Sequence, residues 1–282
     1  MGFRIITDSA SDMPQETAAE LGVTVMPIHT RFGEEEYLDG VTLKPREFFE
    51  KLVETDEIPR TSQITPFEFE EEFEKWVSEG ESVLCITMSA GVSGTYQSAC
   101  AAAADFGDKV IVIDSRQFCI SLYVLVVYAC QLRDAGKTLQ ETAEAIEKAK
   151  KRVHVISVFA TLEYLKLGGR ISAAAAMAGN ILSIKPVITI ENGLVEVIAK
   201  ARGARKAHNM LVEFIDKTGG IDYSMPYCLG FTGFSDQVLT QYIDDYAAKY
   251  KEALKDVPVV PVGATVGTYA GPGAVALAFF NK

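Results

Sequence analysis

FRIITDS at residues 3–9 decides the reading of the fold, because its design returns twice, as SVLCITMS at 82–89 and KVIVIDS at 109–115. Each is a short apolar, β-branched run that ends in Ser, Thr or Asp. Short apolar runs without alternation read as strands covered on both faces, as in a parallel sheet. Helical patterns lie between them. Thr65-Pro66-Phe67-Glu68 spells a capping box with Pro at the first helical position, and Phe69, Phe73 and Trp76 follow at helical spacing. Residues 94–104 form a second, alanine-rich helical pattern. Strand alternating with helix gives an α/β domain built on a parallel sheet. Ligands of such sheets bind at the carboxyl ends of the strands, so the polar ends of the three runs are expected along one edge.

The pattern changes past the middle of the chain. Thr138-Leu139-Gln140-Glu141 opens a capped helix running to about Lys151. HVISVFAT (154–161), KPVITIENGLVEVIA (185–199), PYCLGFTG (226–233) and VPVVPVGAT (257–265) are strand-like, and Asn192-Gly193 is a strong hairpin signal. The expected architecture is therefore α/β with two domains. Residues 1–152 form the parallel-sheet α/β domain, and 153–282 an α+β domain with an antiparallel sheet.

Composition narrows the function classes. The 282 residues are 48% hydrophobic and 23% charged, enough apolar content for one large core or two medium ones. The formal net charge of −11 argues against nucleic acid and anionic membrane surfaces as partners. The charge is uneven: residues 150–210 hold ten Lys or Arg against three carboxylates, Glu163, Glu191 and Glu196. That stretch is either a solvated mixed surface or a basic face for an anionic ligand or acidic partner. Five cysteines (Cys85, Cys100, Cys119, Cys130, Cys228) without CxxC spacing fit neither a disulfide framework nor a zinc site, and point to a reduced, cytoplasmic protein. MGFRIITDSASD lacks signal-peptide architecture. The most apolar run, residues 118–132, is shorter than the roughly 20 residues a membrane span needs and reads as a buried helix.

Few residues carry chemistry on their own. Arg60-Thr61-Ser62-Gln63 places two hydroxyls in a loop, able to donate to a carboxylate or to serve ordinary loop polarity. Ser89-Ala90-Gly91-Val92-Ser93-Gly94-Thr95 joins a strand to a helix start, where small residues and free N–H groups suit an anion, or simply a tight turn. It is neither a P-loop nor a GxSxG elbow. His29, His154 and His208 show no metal spacing. Asp8, Asp12 and Asp114 are candidates for a general base and equally for turn formers and caps. Cys119 has no evident His partner. Arg170, in Gly168-Gly169-Arg170-Ile171-Ser172, and Arg202, in Lys200-Ala201-Arg202-Gly203, are fixed cations suited to phosphate or carboxylate.

Taken in order, TDSASD, PRTSQ, SGTYQSA, VIDS, YLKLGGRIS, IKPVITIENG, KARG and GPGA resemble the DegV family of bacterial fatty-acid-binding proteins, from residue 3 to about 280. The resemblance implies two domains with an acyl chain held at their interface. It implies no metal or cofactor and no autonomous catalysis. It also implies, for members that act as fatty-acid kinase B subunits, a separate ATP-binding kinase subunit that phosphorylates the bound carboxylate. By it, Thr61 and Ser93 hold the carboxylate with Ser62 and Gly94 adjacent, and Arg170 and Arg202 face the kinase subunit. Two departures stand out. Cys119-Ile120-Ser121-Leu122-Tyr123 replaces the family's Ser-x-Gly-x-Gly, which puts Ser121 and Tyr123 in the expected tail pocket and leaves its length open. The family's His three residues before the GPG is absent, and Tyr269-Ala270 precede Gly271, which leaves coupling to a kinase open. The competing expectation is an independent hydrolase or acyltransferase with Ser93 as nucleophile, which needs a nearby base. A third is a small-molecule sensor acting through the basic face.

Overall fold

The computed structural model describes residues 2–55, 57–171, 184–246 and 256–282. The chain opens with β1 (Phe3–Asp8), α1 (Gln15–Leu21) and β2 (Val23–Met26). A small excursion follows: β3 (His29–Phe32), β4 (Glu35–Leu38), α2 (Pro45–Glu54) and β5 (Arg60–Ser62). Then come α3 (Pro66–Ser78), β6 (Ser82–Thr87), α4 (Thr95–Ala103) and β7 (Val110–Asp114). The strands β2-β1-β6-β7 pair in that order, all parallel. The three quoted runs are thus the heart of one sheet. Their β-branched side chains suit a pleated, doubly covered surface. The capping box at α3 forms as spelled: Thr65 Oγ1 accepts from the Glu68 amide, while the Glu68 carboxylate accepts from the Thr65 amide at 2.8 Å.

Arg60-Thr61-Ser62 is not loop. It is an edge strand of a three-stranded antiparallel sheet ordered β4-β3-β5, with Thr61 opposite Thr30 and Ser62 opposite His29. Pairing with β3 outweighs the weak local signal and holds both hydroxyls on a fixed backbone.

The run at 118–132 becomes α5 (Ile120–Asp134), buried almost all round and packed against β1. After α6 (Leu139–Ala149) the second sheet begins. Its elements in chain order are β8 (Val153–Val158), α7 (Glu163–Leu167), β9 (Ile184–Glu191), β10 (Leu194–Arg202) and α8 (Ala204–Lys217). β11 (Cys228–Phe231), α9 (Gln237–Tyr246), β12 (Val259–Pro261), α10 (Ala264–Ala270) and β13 (Val275–Phe280) complete it. The strand order is β10-β9-β8-β13-β11-β12. The sheet is mixed, not wholly antiparallel: β12 joins the edge parallel to β11. The last strand, β13, lies in the sheet's interior between β8 and β11. Asn192 and Gly193 both take positive φ (51° and 83°), as a two-residue hairpin between β9 and β10 requires.

One apolar core runs through both sheets. It joins Ile5, Leu84 and the buried face of α5 to Val155, Cys228 and Phe280. A second cluster lies under α8 and α9 around Leu211, Leu229 and Phe279. Among the described residues, no helix is long and apolar enough to cross a membrane.

Candidate functional site

A cavity of about 380 Å³ opens between the carboxyl edge of the parallel sheet and one face of the mixed sheet. The first wall is Ile28 after β2, Met88 after β6, and Phe118 and Cys119 after β7. Val155, Ile188 and Ile190 supply the second. Val262, Thr265 and Val266 lead along α10 to Tyr269. The hairpin tip closes over the edge, where Ser89 Oγ donates to the Gly193 carbonyl at 2.7 Å and Val195 joins the lining. The lining is predominantly apolar, with a few convergent polar groups, the usual composition of a small-molecule site.

The polar groups include four of the residues nominated from sequence: Thr61, Ser62, Ser93 and Gly94. β5 delivers the first two and the start of α4 the others. Gly94 stands there for room, not for conformation: a Cβ would run into the side-chain amide of Gln63. Gln63 in turn donates to Ser98 Oγ at 3.0 Å, tying β5 to α4. Ser93 Oγ accepts from the Thr95 amide at 3.2 Å and lies 2.9 Å from Thr95 Oγ1. Arg170 also lines the cavity and borders a shallower hollow outside it, lined by Gly91, Val92 and Leu194 among others, so the guanidinium stands at the mouth. It is the one charged side chain in the lining among the described residues.

Three nominated residues are elsewhere. Ser121 and Tyr123, expected in the tail pocket, are not among the residues that line the cavity. α5 presents its N-terminal approach, Phe118 and Cys119, to the cavity. Ser121 Oγ donates back to the Phe118 carbonyl at 2.6 Å, and Tyr123 packs into the core around α5. Arg202, at the end of β10, is exposed and outside the lining. Ser172 lies outside the described residues, as does the His208 side chain.

The open roles of the acidic residues resolve as turn and cap positions. Asp8 accepts from the Met88 amide at 2.7 Å and the Ala10 amide at 3.1 Å. Burial pushes its pKa up to about 7 against the pull of those two amides. Asp12 accepts from the Gly263 amide at 2.8 Å, and burial raises its pKa far above the usual carboxylate range. Asp114 accepts from the Ala90 and Arg116 amides. None of the three lines the cavity. Burial and the neighbouring Asp12 also push the Cys119 thiol up, which suits a wall residue and not a nucleophile. His29 sits between Glu36 and Glu68, and His154 packs against the rings of Phe214 and Phe279. Among the described residues, no His, Asp or Glu lines the cavity beside Ser93, and no cluster of His, Cys, Asp and Glu is placed to hold a metal.

Sequence reasoning passed over Gln63 and the depth of Tyr269's involvement. Tyr269 Oη lies 2.7 Å from Thr61 Oγ1. The available signal was the Gly-Pro-Gly at 271–273, which ends α10 with Gly271 at φ +65°.

Comparison with known proteins agrees with this geometry. The family model described as "Uncharacterised protein, DegV family" matches residues 2–282. A DegV domain-containing protein of Caldanaerobacter subterraneus is 33% identical over 282 residues, covering 99% of this chain and 98% of the relative. A DegV family protein of Thermus thermophilus, described for its fatty acid binding, superposes with a TM-score of 0.90 at 29% identity over 100% of both chains. A stearic-acid-binding protein of Eubacterium ventriosum gives 0.86 at 25% identity, covering 99% of this chain and 98% of that one. The chain belongs to the DegV family.

Proposed function

We propose that this protein binds one fatty acid between an N-terminal unit of residues 1–152 and a C-terminal unit of 153–282, as a carrier without catalysis of its own. The acyl chain lies along the apolar walls. The carboxylate sits at Thr61, Ser62, Ser93 and Gly94, with Arg170 at the mouth. The observation that carries this reading is the make-up of the cavity: an apolar chamber that gathers hydroxyls from β5 and the start of α4 together with Arg170. Ten buried methylenes supply about 8 kcal/mol of gross apolar stabilisation at ~0.8 kcal/mol each. The head group then needs only a few well-placed donors. The fatty-acid binding described for the Thermus and Eubacterium relatives supports the same ligand class.

The finer reading is that the carrier presents the carboxylate to a separate ATP-binding kinase subunit. Arg170 at the mouth supports it, as does the exposed Arg202 within the basic stretch at 150–210. The hydrolase reading finds less support, since among the described residues no His, Asp or Glu lines the cavity beside Ser93. The test is displacement of a fluorescent fatty acid. Thr61→Ala and Ser93→Ala should each weaken binding by about 1–3 kcal/mol with the fold intact. Unchanged affinity in the double variant would place the carboxylate elsewhere.

A further inference from the structure

Thr61 is not a free donor waiting at the cavity wall. Its Oγ1 shares a hydrogen bond with Tyr269 Oη, 208 positions away in sequence. Tyr269 is itself clamped. The Arg170 guanidinium lies over its ring, 4.8 Å from the centroid. Gly168, just past α7, runs so close beneath that a Cβ there would enter the ring. Gly271, just past α10, meets the Tyr164 ring in the same way. The cation over the ring and the close glycine beside it bound the phenol whose oxygen reaches Thr61.

Two hydroxyls that share one hydrogen bond leave one proton over, and the order of donation decides where it points. A phenol is the better donor and the poorer acceptor, because its oxygen lone pair is delocalised into the ring. Tyr269 therefore donates and Thr61 accepts. The Thr61 proton is then left for a third group, and each bond in such a chain polarises the next. The cavity is where that third group lies, since both residues line it.

We infer that Tyr269 is a positioning residue for the head-group site: its hydroxyl donates to Thr61 and commits the Thr61 proton to an acceptor in the cavity. This rests on the carboxylate being seated at Thr61. It goes further in assigning a selectivity. A carboxylate only accepts and suits a committed donor. A fatty alcohol gains only a neutral hydrogen bond from that proton, where a carboxylate gains a stronger, charge-assisted one. The opposite role, a plug that ligand must push aside, makes the opposite prediction for removal of the hydroxyl.

The experiment is a double-mutant cycle on Thr61 and Tyr269, read by competition of palmitate and of 1-hexadecanol against a fluorescent fatty acid. Tyr269→Phe keeps the ring contacts with Gly168 and Arg170 and removes one oxygen. It should lose about fivefold to tenfold in palmitate affinity, the range for one neutral hydrogen bond, and little for hexadecanol. In the Thr61→Ala background the same change should cost nothing, because the group it acts through is gone. Gly168→Ala, which drives the ring from its place with the hydroxyl intact, should reproduce the palmitate loss. Equal or tighter palmitate binding by Tyr269→Phe overturns the inference, as does a loss that persists in Thr61→Ala or falls equally on both ligands. Unchanged palmitate affinity in Gly168→Ala also counts against it. A parent protein that binds no palmitate fails at the first titration, and that failure belongs to the carrier reading.

Discussion

Asp39 lies outside the cavity, yet its removal should be felt there. Its Oδ1 accepts from the Ala264 amide at 2.8 Å. Its Oδ2 accepts from the Thr265 amide at 3.0 Å and from Ser9 Oγ at 3.0 Å. One fully buried carboxylate thus caps α10 and ties it to the turn after β1. Asp39→Ala strands two amides and a hydroxyl away from water. Loss of a cap costs about 1 kcal/mol, and each stranded buried donor adds about 1–3 kcal/mol. Part of this is returned, because burial raises the Asp39 pKa and removing the group relieves that desolvation. The expected net loss is about 2–4 kcal/mol, read by urea unfolding with an unchanged slope. The melting temperature should fall by roughly 5–15 °C. Because α10 carries Thr265, Val266 and Tyr269 into the lining, fatty-acid affinity should fall as well. A change below about 0.5 kcal/mol, the range of surface substitutions, would refute Asp39 as the anchor. Lost stability with intact affinity would refute the coupling of α10 to the head-group site.

Gly94→Ala should displace the Gln63 amide from Ser98, costing about 1–3 kcal/mol of overpacking and weakening fatty-acid binding; a variant that binds normally would contradict the close approach seen there. Tyr123→Leu should lower stability by about 1–3 kcal/mol but leave the chain-length preference alone, whereas Val195→Phe, in the lining, should shift it toward shorter chains. Competition across a series of chain lengths checks both, and a shifted profile in Tyr123→Leu would restore that ring to the tunnel. For His29, burial lowers the pKa, but Glu68 and Glu36 outweigh it and the folded value is raised above 6.5. Its contribution to stability is full below the unfolded pKa and is lost as pH rises through the folded one. The stability gap between parent and His29→Gln should therefore shrink as pH rises through that window; a gap independent of pH would contradict the charged bridge.

The parts of the fold visible in the sequence were those with a strong local signature. β1, β6 and β7 are doubly covered strands, and such runs stand out against amphipathic helices. The capping boxes at Thr65 and Thr138 and the Asn192-Gly193 hairpin are set by neighbouring residues, and each forms as spelled. β3, β4 and β5 did not stand out. They are strands of three or four residues with polar sequences, HTRF, EEYL and RTS, held by pairing with each other. β13 escaped notice as well, although it lies inside the mixed sheet, because a six-residue apolar run at the chain end carries no sign of its neighbours.

The site divides along the same line. Ser93 and Gly94 sit in a recognisable strand-to-helix turn and Thr61 and Ser62 in a short polar motif that gave no sign of its strand, and the convergence of all four needed the tertiary structure to display it. Tyr123 was hard to assign from sequence for a physical reason. α5 is apolar on almost every side, so no periodicity tells which face meets a cavity and which meets core. Asp8, Asp12 and Asp114 could not be told apart from bases until their amide partners were in view.

The most direct test of a carrier is to weigh it. Native mass spectrometry of the protein as purified, followed by organic extraction, reads the contents of the cavity without any assumption about partner or reaction. The expected result is an added mass of one fatty acid per chain, released intact on extraction and replaced when a different fatty acid is supplied. A protein that is empty as purified, and remains at its bare mass after incubation with fatty acids, would contradict the central claim.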